Sequence, residues 1–389
     1  MAERLPVADW TSREDLAALV TALGPGNARY VGGAVRDTLL GIDVKDVDIA
    51  TPLRPLKVIG KLKDAGIKAI PTGIDHGTVT ALIPFGPIEI TTLRHDVSTD
   101  GRRATVAFAD DWQDDAARRD FTMNALYADP ETLEVHDWFG GLDDLKARRV
   151  RFIGDARERI REDHLRILRY FRFQARFGSQ PADGEAEAAC SELAATLKGL
   201  SRERIGMEML NLLGLPDPAP TVTRMQELGV LAEVLPEADV AALAALVAQE
   251  QKQAIAPDPF RRLAALLPAD VPLAEQVASR FRLSGAQKKR LATAAGRSAS
   301  EHDARALAYR LGLDGALDRL LITAADTSAL PGWDIPTFPL KGGEIVARGV
   351  KAGPEVARIL RTVEDQWIAT GFDNARIPAF LDAAIAAVR

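Results

Sequence analysis

Cysteine is almost missing from this 389-residue chain, Cys190 being the single one. One thiol cannot build an internal disulfide framework or a CxxC zinc or redox site. Histidine is scarce as well: five scattered copies argue against a His-rich metal centre. No run approaches the ~18 apolar residues of a membrane span, and the first residues lack the basic-then-apolar pattern of a secretory signal. A soluble, cytoplasmic protein with no membrane partner is the expectation. Internal repeats, heptads and low-complexity tracts are also wanting. Basic residues fall short of acidic ones, 49 Lys plus Arg against 55 Asp plus Glu, for a net charge of −6. Taken alone, that balance points away from a nucleic-acid partner. The rest is ordinary globular material, 47 % hydrophobic and 27 % charged, in a length that suits about two to four domains.

Texture changes along the chain. Between residues 28 and 93, short β-branched runs (Val47-Asp48-Ile49, 78–83 and 88–91) alternate with Gly, Pro and Asp, which predicts strands and turns. From about residue 155, Ala/Leu/Arg/Glu segments with helical spacing take over at 157–177, 185–197, 202–213, 240–253, 286–295, 304–311 and 355–368. Breakers separate them, including Leu215-Pro216-Asp217-Pro218-Ala219-Pro220 and Ala256-Pro257-Asp258-Pro259. An N-terminal α/β head followed by an all-helical body is predicted.

Three groups of residues carry chemistry. Tyr30-Val31-Gly32-Gly33-Ala34-Val35-Arg36-Asp37 is an apolar strand running into two glycines and a short helix. Backbone N–H groups there could receive a phosphate, with Arg36 reaching the same anion; a bare structural turn is the alternative. Asp46-Val47-Asp48-Ile49 places two carboxylates on one strand face, where they repel unless a cation lies between them. Glu89, in Ile88-Glu89-Ile90-Thr91, joins them if its strand pairs alongside. Three hard oxygen ligands of this kind suit Mg²⁺ and two-metal phosphoryl transfer; a solvated polar face is the alternative.

The third group is rich in arginine. Arg118-Arg119-Asp120-Phe121-Thr122-Met123-Asn124 offers two guanidinium forks for phosphate oxygens. Asp120 and Asn124, four apart, would share a helix face and could grip a ribose hydroxyl. In Glu162-Asp163-His164-Leu165-Arg166 and the residues beyond it, Asp163, Arg166 and Tyr170 fall on one helix face and Leu165, Leu168 and Phe171 on another. Residues 151–176 hold 8 arginines against 4 acids, a local charge of +4. An amphipathic helix laced with ion pairs explains that pattern equally well.

Together these motifs resemble the class II tRNA nucleotidyltransferases (CCA-adding enzymes) of the polymerase-β-like superfamily, and their relatives the bacterial poly(A) polymerases. The resemblance spans about residues 28–210, including Leu200-Ser201-Arg202-Glu203-Arg204-Ile205. Beyond that it is looser, although Leu340-Lys341-Gly342-Gly343-Glu344-Ile345 looks like the tail that holds tRNA. It implies an α+β chain: a nucleotidyltransferase head of mixed β-sheet and helices over residues 1–150, a helical neck with a base-reading helix over 151–215, and a helical body and tail binding tRNA over 216–389. It also implies template-independent addition of C, C and A to the tRNA 3′ end from CTP and ATP, dependent on Mg²⁺ and releasing pyrophosphate. A poly(A) polymerase, a partial CC- or A-adding enzyme and an inactive RNA-binding relative are the alternatives; oligomeric state is left open.

Residue by residue, the resemblance makes Asp46 and Asp48 the metal pair and Glu89 the carboxylate that helps activate the primer hydroxyl. Gly32, Gly33, Arg36, Arg118 and Arg119 would bind nucleotide phosphates, and Asp120 and Asn124 would favour ribose. Asp163 and Arg166 would read the base, supported by Arg169 and Arg172. Cytosine and adenine both present an amino donor beside a ring-nitrogen acceptor, which a carboxylate and a guanidinium match; uracil and guanine present the reverse. The polar loop 96–103 matches the family's flexible loop. Two features depart from the family: Asp115 is followed by Ala116 rather than Leu, and His302-Asp303 has no companion histidines for a dinuclear metal site.

Overall fold

The strands carrying Asp48 and Glu89 lie side by side inside a mixed sheet, in a computed structural model that describes residues 3–100, 103–301 and 303–388. Among the described residues nine strands occur in order: β1 (Arg29–Val31), β2 (Asp48–Thr51), β3 (Lys68–Gly73), β4 (Thr78–Ile83), β5 (Gly86–Thr92), β6 (Arg94–Asp100), β7 (Arg103–Phe108), β8 (Tyr127–Ala128) and β9 (Val135–His136). Seven form one sheet in the order β3-β4-β5-β2-β1-β8-β9, in which β2 and β5 run parallel and the other neighbours antiparallel. A parallel pair needs a crossover. Here α3 (Pro55–Asp64) supplies it together with β3 and β4, starting on a proline in its first turn and burying Val58 and Leu62. The helices α1 (Glu14–Leu23), α2 (Gly33–Leu39), α4 (Trp112–Ala117) and α5 (Gly141–Lys146) complete the head.

Of the expected movable loop 96–103, residues 96–100 and Arg103 belong to the paired strands β6 and β7, in which Arg94 pairs with Phe108 and Asp100 with Arg103. Gly101 and Arg102 lie outside the described residues, as does His302 of the His-Asp pair.

The neck differs from its prediction in one respect. Segment 157–177 is two helices, α6 (Ala156–Glu162) and α7 (Arg166–Phe177), because Asp163 turns to an extended conformation (φ −149°, ψ 104°). Its Oδ1 accepts the Leu165 N–H at 3.1 Å, a side-chain bond that competes with helix continuation. Tyr170, expected on a polar face with Asp163 and Arg166, is buried instead. It stacks on Phe152 with ring centroids 5.8 Å apart, while Phe173 meets Phe121 at 5.0 Å. Head and neck therefore share an aromatic core. The chain divides into two compact units, Met1–Pro236 and Glu237–Arg389, and the expected head–neck boundary at 150/151 falls inside the first. The first unit continues with α8 (Gly184–Glu192), α9 (Arg202–Leu213), α10 (Ala219–Glu227) and α11 (Val230–Val234).

The second unit is helical among its described residues: α12 (Val240–Lys252), α13 (Pro259–Leu266), α14 (Val271–Arg280), α15 (Gly285–Ala295), α16 (Ala304–Ile322, kinked at Gly312), α17 (Gly342–Ala347), α18 (Pro354–Ala369) and α19 (Ile377–Ala386). Prolines read as breakers in fact open helices: Pro259 follows the N-cap Asp258, whose carboxylate accepts the Phe260 and Arg261 N–H groups. The unit's largest buried side chain is Trp367, packed among Tyr309, Phe338 and Phe372 and donating to Asn374 at 2.9 Å. Among the described residues, no helix is long and apolar enough to cross a membrane.

Removing that indole leaves a cavity and an unpaired amide oxygen. Trp367→Ala should cost about 3–5 kcal/mol of stability, read as a shifted denaturation midpoint in urea. An unchanged midpoint would show that the tail core does not depend on this side chain.

Candidate active site

Parallel pairing of β2 with β5 sets Asp48 opposite Glu89, on strands about 4.8 Å apart. Burial alternates as the sequence requires: Asp46 and Asp48 are exposed, Val47 and Ile49 buried, and Glu89 is exposed between buried Ile88 and Ile90. Partial removal from water raises the Asp48 pKa above the usual carboxylate value, and the charges of Glu89 and Asp46 add to it, while Arg119 pulls it down. Among the described residues, none of the three carboxylates has an ion-pair partner. That donor set, hard, anionic and uncompensated, fits a divalent cation. Among the described residues no group of three or more His, Cys, Asp or Glu side chains converges on one point.

Arg119, whose charge reaches Asp48, and its neighbour Arg118 stand at the end of α4, both anchored on the buried Asp115. Arg118 pairs with Asp115 at 2.8 Å and Arg119 at 3.3 Å. The Asp115 carboxylate also accepts the Tyr127 hydroxyl at 2.5 Å and the Arg94 backbone N–H at 3.2 Å. Burial alone would raise its pKa, but the two guanidinium charges and the tyrosine bond outweigh it and the pKa is lowered. Arg119 lies across the glycine turn: a Cβ on Gly32 would sit 3.3 Å from its Nη1, and Gly32 holds φ +69°, a left-handed conformation that favours glycine. The Gly32 N–H is not bare, since it donates to the Leu126 carbonyl at 3.2 Å. Gly33 opens α2.

Arg36 departs furthest from expectation. Its guanidinium is buried, donating to Asp37 and to the Asn124 amide oxygen and facing the Phe177 ring at 4.3 Å. It ties α2 to α7 rather than standing free for a phosphate. Asp120 and Asn124 do meet, Asn124 Nδ2 donating to Asp120 Oδ1 at 2.9 Å, but across a 3₁₀ turn (Thr122–Asn124) rather than along an α-helix.

Asp120 in turn accepts Arg169, which also approaches Glu208 at 3.8 Å; Arg172 pairs with Glu208 at 2.6 Å. Asp163 and Arg166, expected to act as a pair, have different partners. Arg204 of α9 holds Asp163 Oδ2 at 2.6 Å. Arg166 donates to Glu162 and to the Arg159 and Arg118 carbonyls. Each of the eight arginines between 151 and 176 has a carboxylate partner, although some partners are shared, as Glu162 is by Arg159 and Arg166. A pocket of about 200 Å³ opens beside Arg118, lined by His95, Asp114, Ala117, Arg159 and Glu162.

The family described as "Poly A polymerase head domain" matches residues 28–151, and "Probable RNA and SrmB- binding site of polymerase A" matches 183–241. The mouse (Mus musculus) mitochondrial CCA tRNA nucleotidyltransferase 1 is 34% identical over 373 residues, 88% of this chain and 83% of that protein. The chain belongs to the CCA tRNA nucleotidyltransferase family. A CCA-adding enzyme of Limosilactobacillus fermentum is also 34% identical, over 88% of each chain. The crystal structure of the Bacillus stearothermophilus CCA-adding enzyme in complex with CTP superimposes with a TM-score of 0.73 at 26% identity, covering 96% of this chain and 98% of that one. Membership in a nucleotidyltransferase family implies a requirement for a divalent metal ion.

Four partners of the CCA-enzyme motifs escaped the sequence reading as site residues: Asp115, Tyr127, Arg204 and Glu208. Asp115 lies three and four residues before the arginine pair, a spacing that signals contact, whereas Arg204 and Glu208 meet partners some forty residues away and gave no local signal. Tyr127 gave none either.

Burial raises the Asp120 pKa, but Arg169, Asn124 and the Phe121 N–H outweigh it and the net shift is downward from 3.8. A carboxyl depressed in the folded state contributes stability above its unfolded pKa and loses it as pH falls through the folded value. Asp120→Asn should therefore be less stable than wild type at pH 7, with the gap closing below about pH 4. A gap that stays constant in denaturant titrations from pH 7 to 3 would refute the assignment.

Proposed function

We propose that the protein adds C, C and A to the 3′ end of tRNA from CTP and ATP, without a nucleic-acid template, releasing pyrophosphate. The observation that carries this reading is the pairing of Asp48 with Glu89 across β2 and β5, beside Asp46, with no ion-pair partner for any of the three among the described residues. Structures of relatives include one in complex with CTP and one, from Thermotoga maritima, complexed with tRNA.

In this reading Asp46 and Asp48 hold Mg²⁺ and Glu89 accepts the proton of the primer 3′-hydroxyl. The bound ion supplies Lewis-acid stabilisation of the charge that develops on the transferred phosphoryl group. Arg118 and Arg119, fixed by Asp115, receive the triphosphate against the Gly32-Gly33 turn. Asp120 and Asn124 face the ribose. Arg169 and Arg172 hold the floor of the site through Asp120 and Glu208. Arg36 contributes indirectly, by orienting Asn124.

Base choice falls to Asp163 and Arg166. The Arg204 bond fixes the Asp163 carboxylate, with lone pairs left for the amino group of cytosine or adenine. Arg166 commits three of its five N–H donors to protein oxygens, leaving two for a ring nitrogen. The cytoplasm is the compartment this reading assigns, in contrast to the mitochondrial one named for the mouse relative, and cell fractionation checks it.

Purified protein incubated with Mg²⁺, a tRNA transcript lacking CCA and each nucleotide triphosphate should incorporate CTP and ATP and refuse UTP and GTP. Long runs from ATP alone would identify a poly(A) polymerase, addition of CC or A alone a partial enzyme, and no incorporation an inactive relative. Asp46→Ala should abolish turnover while tRNA still binds; a rate above about a tenth of wild type contradicts the metal assignment. Asp163→Ala should relax the choice of base by about 1–3 kcal/mol, or roughly 5- to 150-fold in CTP over UTP. Unchanged rejection of UTP counts against its role.

A further inference from the structure

The Arg118–Arg119 pair is held from behind by Asp115, already seen to fix both arginines, and by Tyr127, which has been given no part so far. Asp115 is 1% exposed and Tyr127 is fully buried, so neither can touch a substrate. Both point at the arginines. Asp115 Oδ1 accepts Arg118 Nε at 2.9 Å and Oδ2 accepts Arg119 Nη2 at 3.3 Å. The Tyr127 hydroxyl accepts Arg119 Nε at 3.0 Å while donating its own proton to Asp115 Oδ2 at 2.5 Å. Arg119 Cζ also lies 5.3 Å from the Tyr127 ring centroid.

We propose that Asp115 and Tyr127 are positioning residues for polyphosphate binding: they hold the two guanidinium groups in one preset orientation before the nucleotide arrives. The inference rests on the assignment of the arginines to the triphosphate. Three observations support it.

First, free arginine side chains lose rotamer freedom on binding an anion; here that loss has already been taken in folding. Second, the hydroxyl direction is fixed by chemistry. Arg119 Nε–H can only donate, so the tyrosine proton must go to Asp115, and burial together with that acidic neighbour raises the Tyr127 pKa and keeps the proton in place. The triad Arg119–Tyr127–Asp115 thus has one self-consistent arrangement. Third, the elements it joins are separate in sequence: α4 carries Asp115, β8 carries Tyr127, and Asp115 Oδ1 also takes the Arg94 N–H at the foot of the β6–β7 hairpin. A carboxylate needed only to neutralise two surface arginines has no call to be buried under a tyrosine. The same carboxylate fixes the arginines and the root of the hairpin that follows β5.

The separating experiment is a double-mutant cycle on CTP binding, measured by isothermal titration on the full-length protein without tRNA, with pyrophosphate as a second probe. Tyr127→Phe keeps the ring and the packing and removes only the hydroxyl. It should weaken CTP and pyrophosphate alike by about three- to tenfold, the worth of one ordinary hydrogen bond lost behind the guanidinium. In an Arg119→Ala background the same change should have no further effect, and affinity for tRNA should not move. Asp115→Asn, which loses the charge shared by both arginines, should weaken both ligands more than Tyr127→Phe does.

Equal CTP affinity in Tyr127→Phe and wild type would overturn the proposal. So would full additivity with Arg119→Ala, or an equal loss of tRNA affinity, since either marks a merely structural role. Should Asp115→Asn fail to fold, the tyrosine cycle alone decides. Wild-type turnover on tRNA is read separately: protein that binds CTP through this triad but adds nothing to tRNA refutes the proposed function and leaves the positioning role standing.

Discussion

Asp120 accepts both Nε and Nη2 of Arg169 with one oxygen and the Phe121 N–H and Asn124 amide with the other, and the first unit is arranged around that buried carboxylate. The aspartate comes from the segment after α4 and the arginine from α7, so one bidentate contact joins the sheet-bearing head to the helical neck. The pairing propagates in two directions. Arg169 and Arg172 share Glu208 of α9, while Asn124 carries the link back through Arg36 and Asp37 to Arg176. A buried ion pair is a poor source of net stability, because desolvation opposes the attraction. Its strength is positional: any slip of α7 by one turn would strand several charges away from water at once.

This arrangement separates the acids of the first unit into two kinds. Asp37, Asp115, Asp120, Asp144 and Glu208 are buried and each is met by arginine. Asp46, Asp48 and Glu89 stand exposed at the centre of the sheet without such a partner among the described residues. The first kind holds shape, and the second keeps its charge available. Like charges held together on a rigid strand pair store repulsion that a divalent cation relieves.

The net charge of −6 says little about an RNA partner, and the structure shows that a local count in sequence is no safer. Eight arginines in residues 151–176 look like a basic surface, yet each is paired, several with acids more than thirty residues away such as Glu192, Asp120 and Glu208. The useful quantity is the potential left after pairing. By that measure the arginines of α6 and α7 serve first as architecture, and their effect on a nucleotide passes through the carboxylates and carbonyls they fix.

The sequence by itself determined the alternation in Asp46-Val47-Asp48-Ile49 and around Glu89, because a strand's period of two is a local property. It also determined the change from strands to helices near residue 155 and, through the spacing of its motifs, the family. Only the tertiary structure decided that Asp48 and Glu89 are neighbours, since a parallel pairing needs a crossover of some forty residues that no local pattern specifies. Likewise only folding decided that Arg36 is spent on Asn124 and Phe177 and that Tyr170 is buried. The placing of the Tyr127 hydroxyl between Arg119 and Asp115 belongs with these. Residue type states what a side chain can bond to. Which bond it makes depends on which partners the fold brings within about 3 Å, and those lie in elements far apart along the chain.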